Sequence, residues 1–422
     1  MNEKKQKLLK QMDESLKKEL VELTCDLVDI QSPTGREYEI GEYVYKRFEE
    51  LGMEMRRQEV EQGRNNIIGL QKGVSQGPSL LLNSHFDTST TGDEEGVPPG
   101  LRAKAFQKDG WIYGLGVSNM KNAFTCYYGA IKMLKKAGIE LDGDLIMAGV
   151  AGEIEKAPVD QYQGKNFRGG GLGTIHLMHG GVTADYAILG EPTGMRVQPG
   201  NTGYIFARIT TKGLAQHTWS KENGIDPIAK MVKVMQALQE WEPVFEENHP
   251  HPVMKTRVGI GAIQGGYPYK PSVCPPPNCN LYVDIRTVPG QSHNSVKQEL
   301  TEVLEGLKKK DPEFEYEMNF YLMRNGYQIP FDSPVCEAVS KAHKEITGQD
   351  IIYPEPYRYA VSADTGVLFD YGIPGITYGP GGITPDGRYS MYDALGECLK
   401  IDNLIKATEV YALSILELCS KK

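Results

Sequence analysis

His85 and Asp87, just past the apolar run of LLLNSHFDTST, are the first side chains of this sequence with chemistry to offer. At the carboxyl end of a strand, residues i and i+2 point the same way. A histidine that ligates a cation through one ring nitrogen needs an acceptor for the N–H of the other, and a carboxylate two residues on can supply it. Alone, the pair reads better as a histidine satisfied at a strand end. GVAGEIEKAP sets Glu153 and Glu155 at the same spacing past another apolar run. A glutamate at the mouth of a sheet can act as general base toward water on a metal, and the same letters fit a solvated loop equally well. Glu191, in ADYAILGEPT, precedes a proline that holds its backbone extended. A turn charge is its plain alternative. His217 follows a strand in TKGLAQHTWS, where a lone histidine is usually structural. Arg286 ends the alternating run of VDIRTV. It could clamp a carboxylate through two parallel hydrogen bonds or pair with a neighbouring acid.

These residues need a frame. EYEIGEYVYKRFEELG is an amphipathic helix stopping at Gly52, and NMKNAFTCYYGAIKMLKKAG is another, ending at Gly138. NNIIGLQ, PSLLLNSHFD, GDLIMAGVAGE and ADYAILGEPT read as strands. Strands alternating with helices predict an α/β domain, a mostly parallel sheet with helices on both faces. From about residue 199 the pattern becomes strand-helix-strand-strand-helix-strand. The expected organisation is therefore a catalytic domain of residues 1–198 and 322–422, interrupted by an inserted α+β (βαββαβ) domain of residues 199–321. A sheet of the first kind binds ligands beyond the carboxyl ends of its strands, where His85, Glu153 and Glu191 fall.

Bulk properties narrow the partners. The 422 residues carry a net charge of -9, with basic residues scattered, which argues against nucleic acid or an anionic membrane. The first twenty residues read as one exposed amphipathic helix, with no apolar run fit for a signal peptide, and no later segment is expected to span a bilayer. Seven cysteines without a CxxC pair predict neither structural zinc nor disulfides, and so a reducing cytoplasm. Cys126 and Cys419 fall within apolar patterns as small core residues.

Taken in order, SHFDT, YGLGVSNMK, DYAILGEPTG, GLAQHTWSKENGIDPI, IQGG, VDIRTVPG, SADTGVLFDYGIPGITYGPGG and ECLKIDNL are a specific combination. Through nearly its whole length the chain resembles the acetylornithine deacetylase and succinyl-diaminopimelate desuccinylase family of metal-dependent aminoacylases and peptidases. The resemblance implies a zinc-peptidase-like catalytic domain and an inserted lid that also forms a homodimer interface. It makes His85 and Glu191 ligands of one metal, Asp87 the group that orients His85, and Glu153 the general base. His217 matches the lid histidine that polarises the scissile carbonyl in the partner's active site, and Arg286 lies where a substrate carboxylate is held. The lid strand GYIFARITT is expected to offer the edge for pairing.

Three positions depart from the family. Asn119 replaces the aspartate that bridges two metals, Ile154 replaces the glutamate beside the base, and YSMYDALGECLKI lacks the terminal histidine. An amide offers one neutral oxygen where a carboxylate offers two anionic ones. Two cations about 3.5 Å apart need bridging negative charge. The expected site is therefore mononuclear: His85, Glu191 and Asn119 around one zinc, manganese or cobalt per chain. Glu155 or Asp393 could instead replace a lost ligand. The asparagine usual at the lid hinge is also replaced, near Ser272.

The expected reaction is hydrolysis of a C–N bond in a small N-acyl amino acid or dipeptide-like substrate. Glu153 deprotonates the water, the metal and His217 stabilise the oxyanion, and Glu153 returns the proton to nitrogen. Two alternatives stay open. One is an aminohydrolase that replaces an aromatic amino group with hydroxyl, like nitroanthranilate aminohydrolase, to which aromatic residues of TYGPGGITPDGRYSMY and YPEPYRYAV would suit a flat substrate. The other is a catalytically silent binding protein on the same fold.

Overall fold

The protein is described from a computed structural model covering residues 2–272, 278–353 and 362–421. Six strands form the principal sheet, in the order Glu54–Glu61, Arg64–Gln71, Leu145–Val150, Leu80–His85, Tyr186–Leu189 and Gly375–Thr377. The last four run parallel, and the first two join antiparallel. Every residue of Leu80–His85 and of Leu145–Val150 is buried, as inner strands covered on both sides require. Successive residues of a strand point to opposite faces, and helices meet both faces at Arg64–Gln71. Ile67 packs against Gly41 of the helix Tyr38–Glu49, while Asn66 donates to the Gly173 carbonyl of the helix Leu172–His179. The edge strand EMRRQEVE escapes sequence reading because only Met55 and Val60 in it are apolar.

The amino terminus is two helices rather than one, Asn2–Leu9 and Glu14–Asp29. Asp13 caps the second by accepting the Leu16 N–H at 2.8 Å. Nor is the segment simply exposed, since Leu8, Leu16 and Leu20 are fully buried. No helix of the described residues is long and apolar enough to cross a membrane. Cys126 and Cys419 are buried free thiols.

The chain divides into two compact units, the first drawn from residues up to 200, 329–354 and 363 onward, the second chiefly from residues 201–328. The second holds an antiparallel sheet in the order Arg257–Gly265, Asn278–Thr287, Gly203–Lys212, Tyr316–Arg324, with helices Pro227–Asn248 and His293–Lys310. Ile205, Ala207, Ile209, Leu281 and Val283 pack there with Met231, Leu238 and Leu300. The strand GYIFARITT is therefore an inner strand, and the edges are Arg257–Gly265 and Tyr316–Arg324. Alternation of apolar residues reports one covered face but not which strands lie alongside, so the expected pairing edge is corrected. The closing strand runs to Arg324, so residue 322 lies within it.

A further small sheet in the first unit was not legible in the sequence: Tyr392–Asp393, Gly396–Lys400, Trp111–Tyr113 and Phe106–Lys108. It carries the buried Glu397.

One ion pair braces the loops beyond the principal sheet. Arg64 and Glu37 have no exposed side-chain surface and meet through two hydrogen bonds of 2.9 and 2.6 Å. Arg64 also donates to the carbonyls of Lys165 and Arg168, at 3.2 and 2.8 Å. Removing one partner leaves a buried charge uncompensated, whereas replacing both does not. Arg64→Met is expected to destabilise the first unit by about 3–5 kcal/mol, and Glu37→Gln in that background to recover much of it. Urea midpoints of the three proteins check this, and equal losses in the single and double variants would count against it.

Candidate metal centre

The carboxyl end of Leu80–His85 lifts His85 to the rim of the sheet, with its side chain buried. Its Nδ1 lies 2.9 Å from the backbone carbonyl oxygen of Asp87, and the Asp87 carboxylate is farther, at 3.6 Å. The ring is thus oriented chiefly by the Asp87 carbonyl, a correction to the expected carboxylate contact. Spacing puts residues i and i+2 on one side but does not say which oxygen arrives first. A carbonyl only accepts, so Nδ1 carries the hydrogen, and in the neutral ring Nε2 keeps its lone pair. That lone pair faces the Asn119 Oδ1 at 3.1 Å, with a Glu153 carboxylate oxygen 3.7 Å away. With the ring neutral these acceptors face one another, and either a proton on Nε2 or a cation answers the charge between them.

The Asp87 carboxylate has a second task. Its oxygens accept the backbone N–H groups of Glu153 at 2.9 Å and Ile154 at 3.2 Å, and the Thr34 hydroxyl at 2.8 Å. It therefore fixes the loop that carries Glu153. Glu191 follows the strand Tyr186–Leu189 and is 7% exposed. One ligand atom each from His85, Glu153 and Glu191 lies within 4.8 Å of the others, the single such group among the described residues. Glu155 and Asp393 do not join it. Asp393 instead accepts the Tyr113 hydroxyl at 3.0 Å and the Leu395 N–H at 2.6 Å.

Electrostatics bear on the same point. Burial raises the Glu153 carboxyl well above the usual range, and the charges of Glu191, Asp364 and Asp87 raise it further. Glu191 is pushed up to about 7 by burial, against the opposing pull of His85. Burial alone would lower the His85 pKa, and the charges of Glu191 and Asp87 more than reverse it. The donors are one imidazole, carboxylates and an amide oxygen, with no thiolate. They suit a divalent cation of intermediate hardness such as zinc, manganese or cobalt.

Two participants were missed in the sequence. Asp364 is buried, accepts the Thr174 hydroxyl at 2.5 Å and adds its charge to that on Glu153 and Glu191. Glu397 is also buried and accepts backbone N–H groups of the Asn119 loop. An acid inside the apolar run LGECLKI was the available signal for it.

His217 and Arg286 stand in the second unit, each with local partners. His217 is exposed and its Nδ1 accepts the Trp219 N–H at 3.3 Å, so its Nε2 carries the hydrogen. The turn is tied to the Ser272 carbonyl by the Thr218 N–H and hydroxyl, at 3.1 and 2.9 Å. Arg286 is bonded through Nε and Nη2 to the Asp284 carboxylate at 2.9 and 2.8 Å, and its guanidinium lies 5.3 Å from the centre of the Tyr204 ring. Of the aromatic segments, YPEPYRYAV lies almost wholly outside the described residues. In the other, Tyr389 sits beside Arg196, at 4.9 Å from ring centre to guanidinium.

The chain is similar to known proteins over most of its length. Residues 81–417 match the model of peptidase family M20/M25/M40. An N-formyl-4-amino-5-aminomethyl-2-methylpyrimidine deformylase of Bacillus subtilis is 26% identical over 440 residues, covering 97% of this chain and 96% of the relative. An acetylornithine deacetylase of Vibrio campbellii is 26% identical over 305 residues, covering 70% of this chain and 73% of the relative. Among solved structures, the dipeptidase Dug1p of Saccharomyces cerevisiae superposes with a TM-score of 0.76 at 13% identity, over 99% of both chains. The YXEP protein of Bacillus subtilis, described as a dinuclear metal binding peptidase, does so with a TM-score of 0.67 at 17% identity, over 96% of this chain and 99% of that one.

The raised Glu191 pKa fixes a sign. Its carboxyl titrates near 4.5 when unperturbed and near 7 in the metal-free fold. Over that interval the folded state holds a proton that the unfolded state has lost, so stability falls as pH rises. A cation reverses this by favouring the ionised form and releases protons on binding. The melting temperature of chelator-treated protein is therefore expected to drop relative to metal-loaded protein between pH 5 and 8. A gap that narrows with rising pH would contradict the arrangement.

Proposed function

The chain belongs to peptidase family M20/M25/M40, and from that premise we propose that it hydrolyses the amide bond of a small N-acylated amine, using one divalent cation per chain. Members of this family are hydrolases of amide C–N bonds that bind divalent metals. The observation that carries the reading is the convergence of His85, Glu153 and Glu191, with the Asn119 oxygen beside them. The mononuclear form is supported by what stands where a second cation would need anions. Asn119 offers a single neutral oxygen, Ile154 offers none, and the segment 389–401 has no histidine.

The cation would supply Lewis acidity toward water and toward the amide carbonyl. Glu153 takes the proton of the attacking water and delivers it to the departing nitrogen. Burial and the neighbouring carboxylates raise its affinity for a proton, the direction that returning a proton to nitrogen requires. Asp87 keeps the base in place through the Glu153 and Ile154 N–H groups. Glu191 and Asn119 hold the cation together with His85. His217, whose Nε2 carries a hydrogen, is the proposed donor to the developing oxyanion, supplied by a partner copy in a homodimer formed by the inserted domain. Arg286, braced by Asp284, is the proposed contact for a substrate carboxylate. A small acyl group such as formyl or acetyl is favoured by the near full-length similarity to a deformylase and the partial one to a deacetylase. The aromatic aminohydrolase reading is not favoured, since these relatives are named for cleaving amides.

Elemental analysis is expected to find one zinc, manganese or cobalt per chain, and a value near two would reject the mononuclear proposal. Glu153→Gln is expected to lower kcat by about 10²–10⁴-fold on N-formyl and N-acetyl amines. Turnover by that variant at the wild-type rate would remove Glu153 from the mechanism.

A further inference from the structure

Asn119 lies ahead of the helix Asn122–Lys136, in extended backbone with φ −118° and ψ 94°. Helical hydrogen bonding therefore does not fix its place. Its loop is held from a distant part of the chain. Glu397, 2% exposed on the strand Gly396–Lys400, accepts the Gly116 N–H on one carboxylate oxygen at 2.8 Å. Its other oxygen accepts the Ser118 and Asn119 N–H groups, both at 2.7 Å. Gly116 adopts a φ of +82°, and a Cβ there would come within 3.0 Å of Lys121 and Thr88. The Ser118 hydroxyl accepts the Gly382 N–H at 2.9 Å, which ties the loop to a second remote segment. The buried Lys121 donates to the Ile30 carbonyl at 2.7 Å, a further tie from this loop to a remote segment.

We infer that Glu397 is a positioning residue for the metal centre, setting the Asn119 loop so that the amide oxygen faces the His85 Nε2. The inference rests on the mononuclear reading above and deepens it. A carboxylate at position 119 would present an oxygen in either flip of its terminal torsion. An amide presents an oxygen in one and an NH2 group in the other, and only the first can ligate. The exchange of aspartate for asparagine therefore makes this corner of the site unusually dependent on where the backbone is held. Three charge-assisted hydrogen bonds from one buried carboxylate supply that constraint. In Glu397→Gln one oxygen becomes an NH2 that faces an N–H donor, so at least one of the three bonds is lost.

The test is Mn2+ affinity of the full chain, measured by titration calorimetry on metal-stripped protein. Glu397→Gln is expected to weaken binding about 10–100-fold, the range for supporting contacts to metal ligands. In an Asn119→Ala background the same change is expected to weaken it less than about twofold, because the side chain being positioned is gone. Losses that multiply independently in the double variant, or wild-type affinity in Glu397→Gln, would overturn the inference. If Glu397→Gln fails to fold, Glu397→Asp keeps the charge and shortens the reach. Its smaller loss must likewise vanish in the Asn119→Ala background. His85→Ala separates the two levels: Mn2+ binding that survives this change refutes the metal centre itself, whatever Glu397 does.

Discussion

Negative charge gathered where water is scarce is the condition that organises the first unit. Glu153, Glu191, Asp87 and Asp364 share one neighbourhood around His85, where Glu191, Asp364 and Asp87 raise the cost of ionising Glu153, and Asp364 and Asp87 that of ionising Glu191. Such a cluster is unfavourable on its own and is relieved only by protons or by a cation. The fold answers by satisfying some of these groups with fixed donors. Asp87 has the Thr34 hydroxyl and two backbone N–H groups, and Asp364 has Thr174. Glu153 and Glu191 are left to face the imidazole, and together the three define where positive charge is wanted.

Rigidity comes from elements that carry no chemistry. The inner strands Leu80–His85 and Leu145–Val150 are buried along their whole length, so the residues at their carboxyl ends start from fixed positions. Phe86, next to His85, stacks on Phe124 at 5.0 Å between ring centres, which locks the strand end against the helix Asn122–Lys136. The ion pair of Arg64 with Glu37 performs the same service for the loop after Glu153, through the carbonyls of Lys165 and Arg168. The neutral Asn119 fits this economy of charge: it provides an oxygen without adding another anion to the cluster.

Much of this was legible in the sequence, for identifiable reasons. His85, Glu153 and Glu191 each follow an apolar run too short for a helix, so the end of a buried parallel strand was the natural place for them. The βαββαβ order of the second unit followed from a clean change of periodicity. What escaped depended on partners far away in sequence. Glu397 looks like a stray acid in an apolar run until the Gly116, Ser118 and Asn119 N–H groups are set against it. The edge strand Glu54–Glu61 is nearly all polar, so periodicity had little to report. The strand Gly203–Lys212 has the alternation of a half-covered strand, and only its register with both neighbours reveals it as internal. Asp87 shows the limit at finer scale, since spacing sets it beside His85 but the oxygen nearest the ring is its carbonyl.

The separation between Asn119 and Glu397 has a consequence for biogenesis. The two are joined by a direct hydrogen bond although they stand 278 positions apart in sequence. The strand Gly375–Thr377, which completes the parallel sheet, also comes late in the chain. During synthesis, the segment bearing His85, Asn119, Glu153 and Glu191 leaves the ribosome long before the strand that secures it. Contacts of such sequence distance form slowly, because loop closure must precede them. A nascent chain halted before residue 396 therefore carries His85, Asn119, Glu153 and Glu191 without the contact that holds the Asn119 loop.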